Sequence, residues 1–527
     1  MSSSGGALID INNNEQSTTT PPTWSSEAQY YSASVYNTTS KSSNNNNNLG
    51  NDDDEEYNNY YQDEDDKPIF EHQVNKCNDP IFALLFIANV CIIIYTAIKY
   101  VPLMESSLLD EYNGNNNNDR RLADNSYDYY KNFEVSLTDV LTLVGVTGGV
   151  GMFLNLLALI VIMYCSKQII YFCLSFNVIV TMFVITVSIV MYVPTLAIIG
   201  VVFFLFSVYY AWVVWARIPF TAANLRVACT AVQSNGFGLS FYAYMSLVII
   251  FGWTIVWSLS AISSMYAYMG CQGKQCQYDP SPWLVLLFLF SFYWTHQVVK
   301  NHLHTTVAGV VGAFWFTPIS ATSHCSPAVR SAFNRSSTYS FGSICLGSLL
   351  VAIVSTLKDF FEIIRSHDDN VLLCCAQCLL GCIGMLIDYF NQWAFVFVGL
   401  YGYNFLNAGK NVVQLFKYRG WSTIITDSLV DSTLTMMSIC IGLITAVISS
   451  FIATHNQMEV GNWIAPWVIG FINGFVLAST LMSLLASAVN TVIVCYADGP
   501  KEFKHNHPQL SDIMDQSWRL AWPDEYK

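Results

Sequence analysis

Residues Ile81-Phe-Ala-Leu-Leu-Phe-Ile-Ala-Asn-Val-Cys-Ile-Ile-Ile-Tyr-Thr-Ala-Ile98 carry no formal charge and a single amide side chain. As a helix this run rises about 27 Å, close to the ~30 Å hydrocarbon thickness of a bilayer. An amphipathic helix on a soluble core would keep a polar face, which this run lacks. Comparable runs recur at roughly 139–163, 169–191, 195–216, 239–266, 283–316, 341–364, 393–409, 432–453 and 465–496. The composition of the 527 residues agrees: 53% are hydrophobic and only 11% charged, against about 25% charged in a soluble chain. The expected fold is all-α, a polytopic integral membrane bundle of about ten transmembrane helices. The 283–316 run is long and interrupted, and 217–238 reads as a polar amphipathic segment between spans. Gly145 and Gly149 are spaced to let two helices approach closely.

The net charge of −14 is concentrated at the start. Residues 1–79 hold 14 Asp and Glu against 3 Lys, with an Asn run at 44–48. Such a stretch cannot bury enough apolar surface to offset the entropy of ordering. Residues 1–75 therefore read as a disordered acidic cytoplasmic tail, 76–500 as the transmembrane domain and 501–527 as a second cytoplasmic tail. The first residues are small and polar, so they do not read as a secretory signal and insertion falls to the internal spans. Lys167, Arg217, Arg226, Arg330, Arg335, Lys410, Lys417 and Arg419 fall in alternate loops. The positive-inside rule then puts both termini in the cytoplasm. Lys358 and Arg365 run against it, at the outer end of the seventh span. No basic patch interleaved with aromatics exists, so nucleic acid is not an expected partner. Phosphate-loop, nucleophile-elbow and H-E-x-x-H motifs are absent, and Gly145–Gly151 lacks the strand that a dinucleotide loop follows. No enzyme, cofactor or metal centre is expected.

Four stretches occur in a particular order. They are Phe290-Ser-Phe-Tyr-Trp-Thr295; Ser340-Phe-Gly-Ser-Ile-Cys-Leu-Gly-Ser-Leu-Leu350, followed by the cluster at Cys374–Cys382; Asn391-Gln-Trp-Ala394 running on to Leu400-Tyr-Gly-Tyr-Asn-Phe405; and Trp467-Val-Ile-Gly-Phe-Ile472 through Ser487-Ala-Val-Asn-Thr491 to Cys495-Tyr-Ala-Asp498. From about Lys76 to His505 the chain resembles the choline transporter-like family, solute carrier family 44, and within it the fungal and protist pH-nine-sensitive branch. The resemblance implies ten spans, cytoplasmic termini and movement of choline or a related amine; the plasma membrane is the expected location, with an endomembrane as the alternative. Asn490 stands where many relatives carry Asp, which removes a charge from the last span.

A quaternary ammonium has no N–H to donate, so aromatic faces must hold it, at about 2 kcal/mol each when desolvated. Trp and Tyr normally gather at the membrane interfaces. Trp253, Trp257, Tyr293 and Trp294 instead fall inside spans, and Tyr401 and Tyr403 lie in a glycine-bearing segment. These six are the candidate substrate-binding residues; ordinary helix packing is the competing reading of each. Asp388, Asp427 and Asp431 are the acids nearest apolar spans and form a candidate cation path. From Asp139 to Phe316 there are seven formal charges, and all but Lys300 lie near loops or span ends. This scarcity favours a facilitator over a proton-coupled pump. His296, His302 and His304 surround Lys300 and read either as a pH-sensing or metal cluster or as a polar face meeting water at a cytoplasmic helix end. Cys271 and Cys276 share a short polar loop on the outer side, where a disulfide can form. Cys374, Cys378 and Cys382 fall on one helical face, an arrangement suited to palmitoylation or to simple burial. The partners expected are the lipid bilayer and a small organic cation. A non-transporting scaffold or trafficking protein that recruits partners through its acidic tail is the alternative.

Overall fold

The computed structural model describes residue 73 and residues 76–521, apart from 116–119, 236–237, 268–269, 273–274, 278–281, 318–326, 366–370, 420–421, 457 and 459–463. The expected disordered tail lies outside the described residues except for Gln73. The helices are α1 (Pro80–Asn115), α2 (Arg120–Val190), α3 (Pro194–Val214), α4 (Ile218–Ser234), α5 (Gly238–Ala267), α6 (Pro282–Phe316), α7 (Pro327–Thr338), α8 (Phe341–Arg365), α9 (Val371–Tyr401), α10 (Phe405–Arg419), α11 (Ser422–His455), α12 (Ala465–Asp498), α13 (Pro500–Asn506) and α14 (Pro508–Ala521). A hairpin of β1 (Gly270–Gln272) and β2 (Gln275–Gln277) joins α5 to α6. The architecture is an all-α membrane bundle, as the apolar runs require.

Eight helical stretches among the described residues are long and apolar enough to cross a bilayer: Pro80–Leu103, Thr142–Val190, Pro194–Ser234, Gly238–Met265, Phe341–Ile363, Cys374–Tyr401, Leu429–His455 and Ala465–Asp498. Two expected spans, 139–163 and 169–191, are fused in the second of these, which is 49 residues long. At 1.5 Å per residue it measures about 73 Å, more than twice the hydrocarbon core. The helix does not run straight. Leu143 packs with Ala453, and Gly151 faces Thr445, so α2 starts antiparallel to α11. Continued straight, residue 163 would reach Thr433 and residue 173 would pass it by about 15 Å. Instead the Cys173 thiol meets the Thr433 carbonyl at 3.8 Å, and Ile170 and Leu174 pack on Leu429. The turn is at Cys165, whose φ −123°, ψ 26° are not helical. Beyond it α2 and α3 form a hairpin: Gly200 lies against Ile185, and Val214 returns to Ile170 and Leu174.

Three further expectations are corrected. The 217–238 segment, expected to be polar and amphipathic, does not show one polar outer face. It is α4, buried on nearly every side from Phe220 to Val232, because α2, α6, α12 and α14 enclose it. The 283–316 run is not interrupted, since α6 is a continuous helix of 35 residues. It falls outside the eight apolar stretches because protein, not lipid, surrounds it; Trp294, Val298, Leu303, Val307, Val311, Phe314 and Trp315 are buried. The span placed at 393–409 begins much earlier, at Cys374, and ends at Tyr401. Gly402 (φ +76°) breaks the helix there before α10 resumes.

Two close contacts hold the bundle. The antiparallel α11 and α12 touch backbone to side chain, with the Thr445 hydroxyl donating to the Gly470 carbonyl at 2.9 Å and Ser449 to Pro466 at 2.7 Å. A Cβ on Gly474 would sit 1.9 Å from the Thr445 hydroxyl oxygen. On α2 the residues that meet α12 are Gly148 and Gly151, not the expected Gly145 and Gly149, around which nothing lies within 4 Å.

The second contact is a clasp between distant parts of the chain. The Gln73 N–H donates to the Tyr401 carbonyl at 2.8 Å, and the Asn78 amide to the Gly402 carbonyl at 2.9 Å. The Asp79 carboxylate accepts from the Ser343 hydroxyl (2.6 Å) and from the Phe405 N–H (3.3 Å), capping the start of α10. Tyr401 also donates its hydroxyl to Asp498 at the end of α12, at 2.7 Å. The indole of Trp315 donates to the Gly499 carbonyl at 2.9 Å and stacks on Phe503 at 3.9 Å. The start of α1, the ends of α6, α9 and α12, and the short α13 therefore meet at one end of the bundle.

Gly474→Leu is expected to destabilise the detergent-solubilised protein by about 1–3 kcal/mol, the usual range for overpacking, whereas Gly145→Leu should change stability by under about 0.5 kcal/mol. Thermal melts of the two variants side by side check this. Asp79→Ala removes the α10 cap and should lower stability by about 1 kcal/mol; earlier proteolytic cleavage around 402–405 is the accompanying readout.

Candidate functional site

Deep in the bundle, polar side chains of α6 bond to α5, α7, α8 and α9. His296 shares hydrogen bonds with the Phe292 carbonyl (2.8 Å) and with Thr254 of α5 (3.2 Å). Asn301 donates to Ser348 of α8 at 2.9 Å. His302 bridges Tyr242 of α5 and Ser337 of α7. His304 donates to the Gln392 carbonyl of α9 at 2.9 Å, while Ser487 of α12 donates to the His304 carbonyl at 3.2 Å. His296 and His302 both bond to α5, His302 also to α7, and His304 to α9. They neither meet water at a helix end nor converge, and among the described residues no three His, Cys, Asp or Glu side chains could hold a metal ion.

Lys300 is different. Its ammonium lies 3.6 Å from the carboxylate of Asp388 on α9, and its side chain is 49% and that of Asp388 37% exposed. Asp431 of α11 lies within electrostatic reach of the same ammonium. The helix registers agree with this grouping. Pairing of Thr445 with Gly470 and of Ser449 with Pro466 brings Asp431 alongside Leu484. Ser487, less than one turn on, bonds the carbonyl of His304, itself one turn beyond Lys300. Two of the three candidate acids, Asp388 and Asp431, are therefore gathered around one lysine. The side chain of Asp427 lies outside the described residues.

The aromatic candidates are spread out. Trp253 and Trp257 pack with Ile93, Ala261 and Phe288; the Trp257 indole donates to the Phe288 carbonyl at 2.9 Å. Trp294 is buried, donates to the Cys345 carbonyl at 3.1 Å and meets Phe86 edge to face. The Tyr293 hydroxyl donates to the Asp359 carboxylate. Tyr401 and Tyr403 lie 6.1 Å apart at the clasp. These rings join helices, and the structure does not gather the six around one point. Cys271 stands directly opposite Cys276 across the β1–β2 hairpin; their side chains lie outside the described residues. Cys374, Cys378 and Cys382 are exposed in the first turns of α9, at the end away from Tyr401.

The profile of the family described as plasma-membrane choline transporter matches residues 198–501. The chain belongs to the choline transporter-like family. Similar proteins include a Protein PNS1 of Mycosarcoma maydis, 32% identical over 248 residues (45% of this chain, 46% of the relative). A CTL-like protein of Dictyostelium discoideum is 28% identical over 311 residues (58% and 53%). A Protein PNS1 of Saccharomyces cerevisiae is 25% identical over 350 residues (62% and 64%). The chain spans about half the length of the first of the curated relatives that it matches. The choline transporter-like match encloses Lys300, Asp388 and Asp431, together with Tyr401 and Asp498 of the clasp, while α1 and α2 precede it.

Sequence reasoning singled out Lys300 as the one charge away from a loop but did not pair it with Asp388, because 88 residues of chain separate the two. Asp79 was missed altogether. It looks like one more acid at the edge of an acidic tail, and nothing local marks it as a cap for a helix 326 residues away.

Trp294→Phe leaves the Cys345 carbonyl without its donor and should lower stability by about 1 kcal/mol. If the ring packs rather than binds cargo, KM for a transported cation should stay within about twofold in Trp294→Leu, which removes the π face, whereas a binding ring should raise it about tenfold or more. Melting curves and concentration-dependent uptake together separate the two roles.

Proposed function

We propose that this protein is a facilitative transporter of choline or a related organic cation, residing in the plasma membrane, with its path running past Lys300, Asp388 and Asp431. Membership of a transporter family in an all-helical membrane fold supports a carrier rather than an enzyme. The observation that carries the path is the half-exposed Lys300–Asp388 pair between apolar helices. Charges inside a membrane bundle are rare, and they face a water-filled cavity or one another. A carboxylate beside water at this depth can receive a cation from solution.

On this reading the chain crosses the bilayer ten times. The kinked α2 supplies two, α3 one, and the protein-encased α6 one; α1, α5, α8, α9, α11 and α12 supply the rest. Lys167, Arg217, Arg226, Arg330, Arg335, Lys410, Lys417 and Arg419 all belong to segments at the clasped end, which makes that end cytoplasmic under the positive-inside rule. The β1–β2 hairpin and the start of α9 then face outward. With Cys374, Cys378 and Cys382 at the outer end of their span, burial in lipid suits them better than cytoplasmic palmitoylation.

Proteoliposomes holding the purified full chain should take up radiolabelled choline or ethanolamine faster than empty vesicles. Asp388→Asn should reduce that uptake at least about tenfold, by loss of the charge that attracts the cation. Uptake of neither amine above the empty-vesicle rate would refute the transport reading.

A further inference from the structure

The Lys300–Asp388 pair is looser than an ion pair built for stability. Its 3.6 Å separation exceeds the roughly 2.7–2.9 Å of a charge-assisted hydrogen bond. Both side chains are part-exposed on the protein, and the ammonium rides on a flexible four-carbon stem. A second carboxyl, Asp431 on α11, acts electrostatically on the same ammonium. One tethered cation is therefore paired with one acid and within the field of another on a different helix.

We infer that Lys300 is a tethered substitute for the cargo: in the empty carrier its ammonium occupies the Asp388 carboxylate, and an arriving organic cation takes that place while Lys300 swings to Asp431. The inference rests on the transport reading above and adds how the empty carrier resets. Uncompensated charge is costly inside a membrane. With Lys300 present, Asp388 has a positive partner whether the carrier is loaded or empty, so the unloaded protein can change its facing and net uptake proceeds. Without Lys300, only the loaded carrier keeps Asp388 paired. Such a carrier swaps one cation for another but returns slowly when empty. The competition also sets affinity, because each incoming cation must displace an ammonium of the same charge. Asp431 lessens that barrier by offering the displaced group a second seat.

The test uses the full chain in proteoliposomes with radiolabelled choline, in two modes: net uptake into empty vesicles and exchange into vesicles preloaded with unlabelled choline. Lys300→Met should lose net uptake about tenfold more than it loses exchange, and half-saturation should move to lower choline concentration; Lys300→Arg should recover net uptake. Asp431→Asn should raise KM about tenfold without changing the ratio of the two modes, which keeps the idea testable if Lys300→Met does not fold. Equal loss of both modes in a folded Lys300→Met protein, or an unchanged KM in Asp431→Asn, would overturn the tethered-cation inference while leaving transport intact. Absence of choline flux in the unmodified chain in either mode would overturn the transport reading for choline and this inference with it.

Discussion

Hydrocarbon offers no hydrogen-bonding partner, so every polar group taken across a membrane must find one inside the protein. The helix α6 shows how far this constraint shapes the bundle. Its histidines, Asn301 and Lys300 each engage a side chain or carbonyl of a neighbouring helix. Removing any one partner would leave a donor stranded in a medium that cannot solvate it. The polar residues of α6 thereby specify which helices surround it, and those helices in turn shield it from lipid. Apolar packing fills the space, but the polar bonds choose the arrangement.

The same constraint explains what could be read from the sequence. Helices that face lipid advertise themselves by apolar runs, and α1, α3, α5, α8, α11 and α12 lie close to where those runs predict them. Helices that face protein do not. The polarity of α6 read as an interruption and the polar residues of α4 as an amphipathic stretch, although both helices are buried. The start of α9 escapes the sequence reading because Gln377, Gly381, Gly384 and Asp388 dilute its hydropathy, while the apolar residues after Gly402 draw the expected span too far along. The bend at Cys165 has no proline to announce it, so two neighbouring runs read as separate helices when the chain never leaves helical geometry for more than one residue.

The candidate site was half legible for a related reason. Charges stand out in an apolar sequence, and Lys300, Asp388 and Asp431 were all conspicuous. What the chain could not reveal is that Lys300 and Asp388, 88 residues apart, lie together, with Asp431 within electrostatic reach. Aromatic residues are less telling. They serve as cargo-binding faces and as mortar between helices, and sequence spacing alone does not separate the roles. In the folded protein Trp257 and Trp294 spend their indole N–H groups on backbone carbonyls of adjacent helices, an ordinary use of a buried tryptophan.

The clasp around Asp79 has a bearing on biosynthesis. Residues 73–79 precede the first apolar helix, yet their partners lie at 339–343 and 401–405. At roughly 5–20 residues per second, a ribosome needs on the order of tens of seconds to travel from Asp79 to Phe405. Throughout that interval the opening strap has nothing to hold. The helix α1 must wait in the membrane until its eventual neighbours have been threaded, and the strap before it locks only once Phe405 has been made.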